Sequence, residues 1–196
     1  MKAAFPPPPP PPPRLVQLVD AATARTLPCL LRRSLVLSNG HPRALLTPLD
    51  AVAALLRRDG SDDYTEVEDA ELDALFATAA LQALTLRGLL LQRSAYALTL
   101  RGALAYNESD VITLDEGAGG DADSYGIEVC TFEAQGQEYL LYSAVDPLVL
   151  LAKPESGVEP GDVFLAAFEE AEKSDSALKH ALESLREELE VTSREL

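Results

Sequence analysis

The sequence is poor in the residues that usually mark disulfide-rich, metal-binding or catalytic proteins. Its 196 residues include no Trp, one Met, two Cys and two His. Cys29 and Cys130 lie far apart without CxxC spacing, which excludes a disulfide framework and fits a reducing cytosol. His41 and His180 have no metal-ligand partner at a useful spacing. We therefore predict no catalytic, cofactor-binding or metal residues and no cofactor, and we expect both thiols to fill apolar pockets.

Long apolar runs are also missing. No stretch approaches the ~18 residues of a membrane span, and prolines 6–13 cannot form the helical core of a secretory signal. We predict a cytoplasmic protein without a transmembrane segment, or a stromal one if the source is a plastid-bearing eukaryote. The prolines favour an extended polyproline II conformation. They either bind an aromatic-lined groove or form a disordered tail over residues 1–13, and we predict the tail.

Basic residues become scarce in the second half. Residues 1–105 carry 11 Lys/Arg and 10 Asp/Glu, whereas residues 106–196 carry 5 and 22, a net charge of −17. A surface of this charge repels phosphate backbones, so we predict no nucleic-acid binding through the acidic half. The first half stays open to that function because of four arginines in two pairs: Arg32, Arg33, Arg57 and Arg58.

The first half alternates between strand and turn patterns. Residues 16–20 alternate in polarity, residues 30–37 are mostly apolar, and Asn39-Gly40 is typical of a hairpin turn. Apolar residues then recur at helical spacing over residues 67–83, and strand-like patterns follow over residues 85–91 and 95–103. This half is therefore predicted to be strand-rich with one helix.

The second half repeats this order. When Asp50 is set against Asp146, residues 36–59 align with residues 132–155 without a gap, and helical spacing returns over residues 163–169. We predict an α+β fold of two tandem similar units, each a small antiparallel sheet followed by a helix. The predicted domains are the tail at residues 1–13, the first unit at 14–104 and the acidic second unit at 105–196.

The chain closes with an amphipathic helix predicted over residues 174–190. Leucines mark one face, and Ser174 or Asp175 can cap its start. Such a stripe either packs on the second unit or binds a partner's groove, and we predict packing. The stripe consists of Leu178, Leu182, Leu185 and Leu189.

Two motifs resemble ligand sites but lack essential parts. Residues 117–122 match G-x-G-x-x-A, yet the strand-like residues 125–132 follow where a dinucleotide site needs a helix. Asp121 and Asp123 begin like a calcium loop, but Tyr125 stands where an oxygen ligand is required. We predict a hairpin loop here, and we interpret Asp50 and Asp146 as turn-forming residues.

Four segments carry a family resemblance: residues 111–115, 128–133, 136–142 and 145–148. They resemble the cyanobacterial and plastid family called domain of unknown function 3727 (DUF3727), and the region is also similar to the DUF1292 family. The resemblance covers about residues 105–172. It implies a cyanobacterial cytosol or a chloroplast lineage, and it implies no known activity and no active-site residue.

Taken together, the patterns predict a non-catalytic binding or assembly factor, or a regulatory one, with an unknown protein partner. The alternative is a small-ligand-binding regulatory module at the junction of the two units, and an enzyme of unknown type ranks third. An enclosed pocket at the junction would favour the ligand module, whereas an exposed apolar patch would favour the assembly factor.

Overall fold

The computed structural model describes residues 14–60, 63–114, 124–155, 163–167 and 174–194. The described chain is mostly sheet with a long C-terminal helix, so the predicted α+β class is confirmed. The strands are β1 Arg14–Val19, β2 Thr26–Val36, β3 Pro42–Pro48, β4 Ala51–Asp59, β5 Asp63–Glu66, β6 Leu90–Ser94, β7 Ala97–Arg101, β8 Val111–Leu114, β9 Ser124–Ala134, β10 Gln137–Ala144, β11 Leu150–Pro154 and β12 Val163–Ala166. The helices are α1 Asp69–Phe76, α2 Ala79–Ala83 and α3 Ser176–Arg194.

Five strands close into a small barrel in the order β1-β12-β11-β3-β2. Neighbouring strands are antiparallel except β1 and β12, which run parallel and close the barrel. Side chains alternate across each strand, so every second residue points inward. The interior is almost entirely aliphatic, and its buried residues are Val16, Leu18, Leu27, Cys29, Ala44, Leu46, Leu150, Ala152 and Phe164.

The other strands form an open sheet in the order β6-β7-β4-β10-β9-β8. The long strand β4 pairs with β7 through its first residues and with β5 through its last ones. Helices α1 and α2 cover one face of this sheet, where they bury Leu55, Tyr139 and Leu141 beneath Leu72 and Leu75. This is the second hydrophobic core.

Helix α3 packs on the outside of the barrel, but the buried residues it covers come from the first half of the chain and not from the predicted second unit. Leu178 and Leu185 are buried against Leu37 and Leu45. The helix is capped by Asp175, whose carboxylate accepts hydrogen bonds from the N–H groups of Ala177 and Leu178 at 2.9 and 3.3 Å. The same carboxylate accepts the Ser38 N–H at 2.9 Å, and Arg33 donates to Ser184 and Glu188. The leucine stripe is therefore already occupied by the barrel.

The predicted arrangement of two tandem units is not confirmed. The barrel combines β1, β2 and β3 from the first half with β11 and β12 from the second, and the open sheet also mixes the halves. The chain leaves the barrel at the bend of residues 49–50 and enters the sheet through β4. Local periodicity identifies strands but carries no information on their partners.

Three local predictions need correction. Residues 163–166 form strand β12 rather than a helix, because a short apolar run fits either period. The helix predicted over residues 67–83 is split by Thr78, which is extended with ψ of 146°. Leu84–Arg87 is a 3-10 turn rather than a strand, and it ends at Gly88 in the left-handed region. The predicted tail and the loop at residues 117–122 lie outside the described residues.

Candidate functional site

The two thiols are poor nucleophiles. Cys29 lies inside the barrel with no exposed surface, and burial raises its pKa to about 12. Cys130 is half-buried, and burial raises its pKa against the opposing effect of the Arg87 charge. A thiol reacts through its thiolate, so neither is activated. Within the residues that the structure describes, no three His, Cys, Asp or Glu side chains are grouped to hold a metal ion.

The four arginines that left nucleic-acid binding open are all engaged by protein groups. A phosphate would have to displace these partners, most of them carboxylates, to bind the guanidinium groups. The partners are Thr47 for Arg32, Ser184 and Glu188 for Arg33, Asp59 and Glu71 for Arg57, and Glu138 for Arg58.

Asp50 is likewise engaged, because its carboxylate accepts two hydrogen bonds of 3.2 Å from Arg101. This contact supports its interpretation as a structural residue of the bend.

A cleft of about 390 Å³ lies where the barrel meets the open sheet. The turn between β1 and β2 forms one wall, and the tip of the β6–β7 hairpin forms another. Ala95 at this tip is fully buried against the barrel core, and its N–H donates to the Thr26 carbonyl at 3.3 Å. Tyr96 follows with φ of 62° and its hydroxyl bonds to Asp20. The hairpin tip is thus fixed to the barrel by two contacts at the turn between β1 and β2.

The charged groups of this junction cleft differ in how they are satisfied. Asp20 accepts the Thr23 hydroxyl and the Ala22 N–H, and these bonds lower its pKa. Arg93 pairs with Asp69 at 2.9 Å, so both charges are satisfied. Arg25 and Glu66 also line the cleft, and their side chains make no hydrogen bond or ion pair with any group of the described chain. The cleft therefore holds one free positive and one free negative side chain.

A second feature is the outer edge of β8, which pairs with no strand in the described part of the chain. The carbonyl of Tyr125 accepts the Val145 N–H at 3.0 Å, so the backbone groups of Tyr125 point towards β10. Successive residues of a strand direct these groups to opposite edges. Gly126 and its partner Ile112 therefore bond to each other, and the N–H and C=O of Thr113 point away from β9.

Three exposed apolar side chains lie beside this edge. Val111, Tyr125 and Val145 are 36, 48 and 44% exposed, and we call them the edge patch. Val111 and Tyr125 are two positions apart in the β8–β9 ladder, so they share one face of the sheet. Val145 neighbours Tyr125 through their backbone hydrogen bond. The patch is contiguous, unlike the single apolar residues scattered over most surfaces.

The strand pairings show a regularity that bears on this edge. In the barrel Leu45 pairs with Leu151, and in the open sheet Leu141 pairs with Leu55. These are residues that the alignment of Asp50 with Asp146 makes equivalent. Both three-stranded meanders also carry a bulge, at residue 32 in β2 and residue 129 in β9. By the same correspondence β8 matches β1, whose outer edge is occupied by β12.

Sequence reasoning missed both features. Arg25 and Thr113 carry no motif, and only their lack of a partner in the folded chain distinguishes them. A weak signal did exist for β8, since its sequence echoes that of β1. The cleft does not lie at the junction of the two predicted units, because its lining comes from the first half of the chain and, from the second half, Leu148. The exposed apolar side chains near β8 are the feature that an assembly factor would require.

Comparisons with known proteins place the chain in one family. A search of curated proteins found no match, and a search of solved structures found none either. None of the helices in the described ranges is both long and apolar enough to cross a membrane. The similarity to DUF1292 and a cyanobacterial origin stay predictions. A family model matches residues 88–185, and the chain belongs to that family, described as "Protein of unknown function (DUF3727)".

Proposed function

We propose that this protein is a non-catalytic binding or assembly factor of the cytoplasm, or of the plastid stroma in a eukaryote. We propose further that it binds an extended segment of a partner protein along the outer edge of β8. The observation that carries the proposal is the backbone of Thr113 beside the edge patch, which pairs with no strand among the described residues. An exposed edge offers a ready row of donors and acceptors for an added strand.

The comparison of the two halves supports this assignment. We propose that they are copies that have exchanged strands, each three-stranded meander pairing with the two-stranded hairpin of the other half. In the barrel, the outer edge of β1 binds β12 through the pairs Gln17–Val163 and Leu18–Phe164. The equivalent edge of β8 lacks such a strand in the described chain. A partner strand would therefore occupy a position that the other copy fills internally.

Charge defines the partner that fits this edge. The second half has a net charge of −17, and Glu128 on the neighbouring strand β9 is exposed. An acidic surface attracts basic segments and repels acidic ones, and salt screens both effects. A basic segment with alternating apolar residues could bond to the Thr113 backbone and cover Val111, the member of the edge patch that lies on β8. We therefore propose a basic, extended partner segment.

The test uses two octapeptides, one alternating Lys and Val and one alternating Glu and Val. Binding of fluorescent peptides is measured by anisotropy to the full chain and to Thr113→Pro, which removes the outward N–H without touching the β8–β9 ladder. Thr113→Val is the matched control because it keeps that N–H. We expect the basic peptide to bind the wild type and Thr113→Val, to lose at least about tenfold in affinity for Thr113→Pro, and to bind more weakly at high salt.

Equal binding of the basic peptide to the proline and valine variants would contradict the edge proposal. Preferential binding of the acidic peptide would contradict the charge argument. Melting curves of both variants must match the wild type, so that a loss of binding is not a loss of fold.

A second candidate function is a small-ligand-binding regulatory module at the junction of the barrel and the open sheet. It is favoured by the junction cleft, whose volume lies within the usual range of roughly 300–1,000 Å³ for ligand pockets. The cleft also contains the free side chains of Arg25 and Glu66. The two functions use different surfaces and can be tested independently.

A further inference from the structure

We propose that the junction cleft binds a small zwitterion with an apolar body, such as a free amino acid with an aliphatic side chain. Arg25 would bind its carboxylate and Glu66 its ammonium group. The inference rests on the second candidate function and supplies its ligand class. It does not depend on partner binding at β8.

The floor of the cleft suits an aliphatic side chain. It is formed by apolar residues of β4 and of the segment before β11, and these residues are only half-buried in the structure. Covering half-buried apolar surface is favourable because it removes that surface from water. The half-buried floor residues are Val52, Ala54 and Leu148, whereas Leu98 pairs with Ala53 and faces the other side of the sheet.

The charges of the cleft favour a zwitterion over a simple ion. Asp20, Asp69 and Arg93 are already bonded within the chain, which leaves Arg25 and Glu66 as the groups free to bind a ligand. A simple anion would be attracted by Arg25 but repelled by Asp20 and Glu66. A simple cation would be attracted by Asp20 and Glu66 but repelled by Arg25. A ligand that carries both charges satisfies both free groups at once.

The walls of the cleft are held in place before any ligand binds. Ala95 is anchored in the barrel core, and the Tyr96 hydroxyl is bonded to Asp20. Tyr96 also holds a left-handed conformation, with φ of 62°, which is unfavourable for a side chain of its size. Such strain is often found where a site is shaped for binding. A rigid rim lowers the ordering cost of binding a small molecule.

The experiment is isothermal titration calorimetry of the full chain with three matched ligands. L-leucine carries both charges, L-leucinamide lacks the carboxylate, and 4-methylpentanoate lacks the ammonium group. The variants are Arg25→Met and Glu66→Gln, and the controls Arg186→Met and Glu187→Gln alter exposed residues of α3. We expect L-leucine to bind the wild type and both controls, and to lose about tenfold or more in affinity for each cleft variant. Both single-charge ligands should bind more weakly than L-leucine.

Three results would overturn the proposal. If L-leucine fails to bind the wild type while one single-charge ligand binds in an Arg25- or Glu66-dependent manner, the zwitterion is wrong but the cleft is still a ligand site. If none of the three ligands binds, neither the zwitterion nor this use of the cleft stands. If L-leucine binds equally to the wild type and both cleft variants, the site lies elsewhere. The Thr113→Pro variant should bind L-leucine as the wild type does, which separates this test from that of the β8 edge.

Discussion

Replacing Leu185 by Ala tests how firmly α3 is held on the barrel. Leu185 is 1% exposed and packs with Leu178 against Leu37 and Leu45. Truncation of a fully buried leucine costs about 2–5 kcal/mol, and the cost falls when the surroundings can collapse into the space. Because α3 is a single helix on the outside of the barrel, it can shift towards the gap. We therefore expect a loss of about 3 kcal/mol in the free energy of unfolding.

The assay is equilibrium urea unfolding, combined with amide hydrogen exchange of α3 to detect local release of the helix. Leu182 is half-buried, so Leu182→Ala should lower the free energy of unfolding by less than Leu185→Ala does. Glu187 is exposed, so Glu187→Ala should change it by less than about 0.5 kcal/mol. A loss below about 1 kcal/mol for Leu185→Ala, with unchanged exchange in α3, would refute the packing of the leucine stripe described above.

Three further perturbations test other contacts. Tyr139→Phe removes the 2.5 Å hydrogen bond from the buried Tyr139 hydroxyl to Glu71. Urea unfolding should show a loss of about 1.5 kcal/mol in the free energy of unfolding, since Glu71 keeps its ion pair with Arg57. An unchanged free energy of unfolding would contradict this hydrogen bond. Hydrogen bonds from Ser38 lower the pKa of Asp175 below its ordinary value of 3.8, so the stabilising effect of the carboxylate should be complete above pH 3.8 and fade as the pH falls through the lowered folded value. The free energies of unfolding of the wild type and Asp175→Asn should therefore converge in acid, and a difference that stays constant with pH would refute this role of Asp175. Burial raises the pKa of Cys29 to about 12, so iodoacetamide at pH 8 should leave Cys29 unmodified in the folded protein and alkylate it in urea. Rapid alkylation of Cys29 itself in the native chain, as distinct from the half-buried Cys130, would show that the barrel opens.

Local sequence signals predicted the elements that depend on local interactions. The leucine spacing of α3 and the capping role of Asp175 follow from helix geometry, and both are found. The Asn39-Gly40 turn joins β2 and β3 as the turn chemistry requires, with Gly40 at φ of 83°. These features need only residues that are near one another in the chain.

The strand partners could not be predicted in the same way. The pairing of Leu45 with Leu151 joins residues that are far apart in the sequence, and nothing in either strand specifies its neighbour. The candidate sites share this limit. Arg25 and Glu66 are exceptional only because the surrounding charges are satisfied by one another, and that is a property of the folded cleft.

On the proposed correspondence of the two halves, the interior residues explain why one meander closes into a barrel and the other stays open. In the barrel Ala152 pairs with Ala166, whereas in the open sheet the equivalent Leu56 pairs with Glu66. A second difference lies in the meanders, where Leu46 pairs with Leu31 in the barrel and Tyr142 pairs with Glu128 in the open sheet.

Ala166 and Leu31 pack against the barrel core, but Glu66 and Glu128 are exposed. Closing the second barrel would move both carboxylates out of water, and an ionised carboxylate without a partner is strongly disfavoured in an apolar interior. On the proposed correspondence, the two glutamates therefore oppose closure of the sheet, because closure would bury them. On the same proposed correspondence, the edge of β8 that no described strand covers and the free carboxylate in the junction cleft share one physical origin, which is the presence of glutamates at positions where the barrel has interior aliphatic residues.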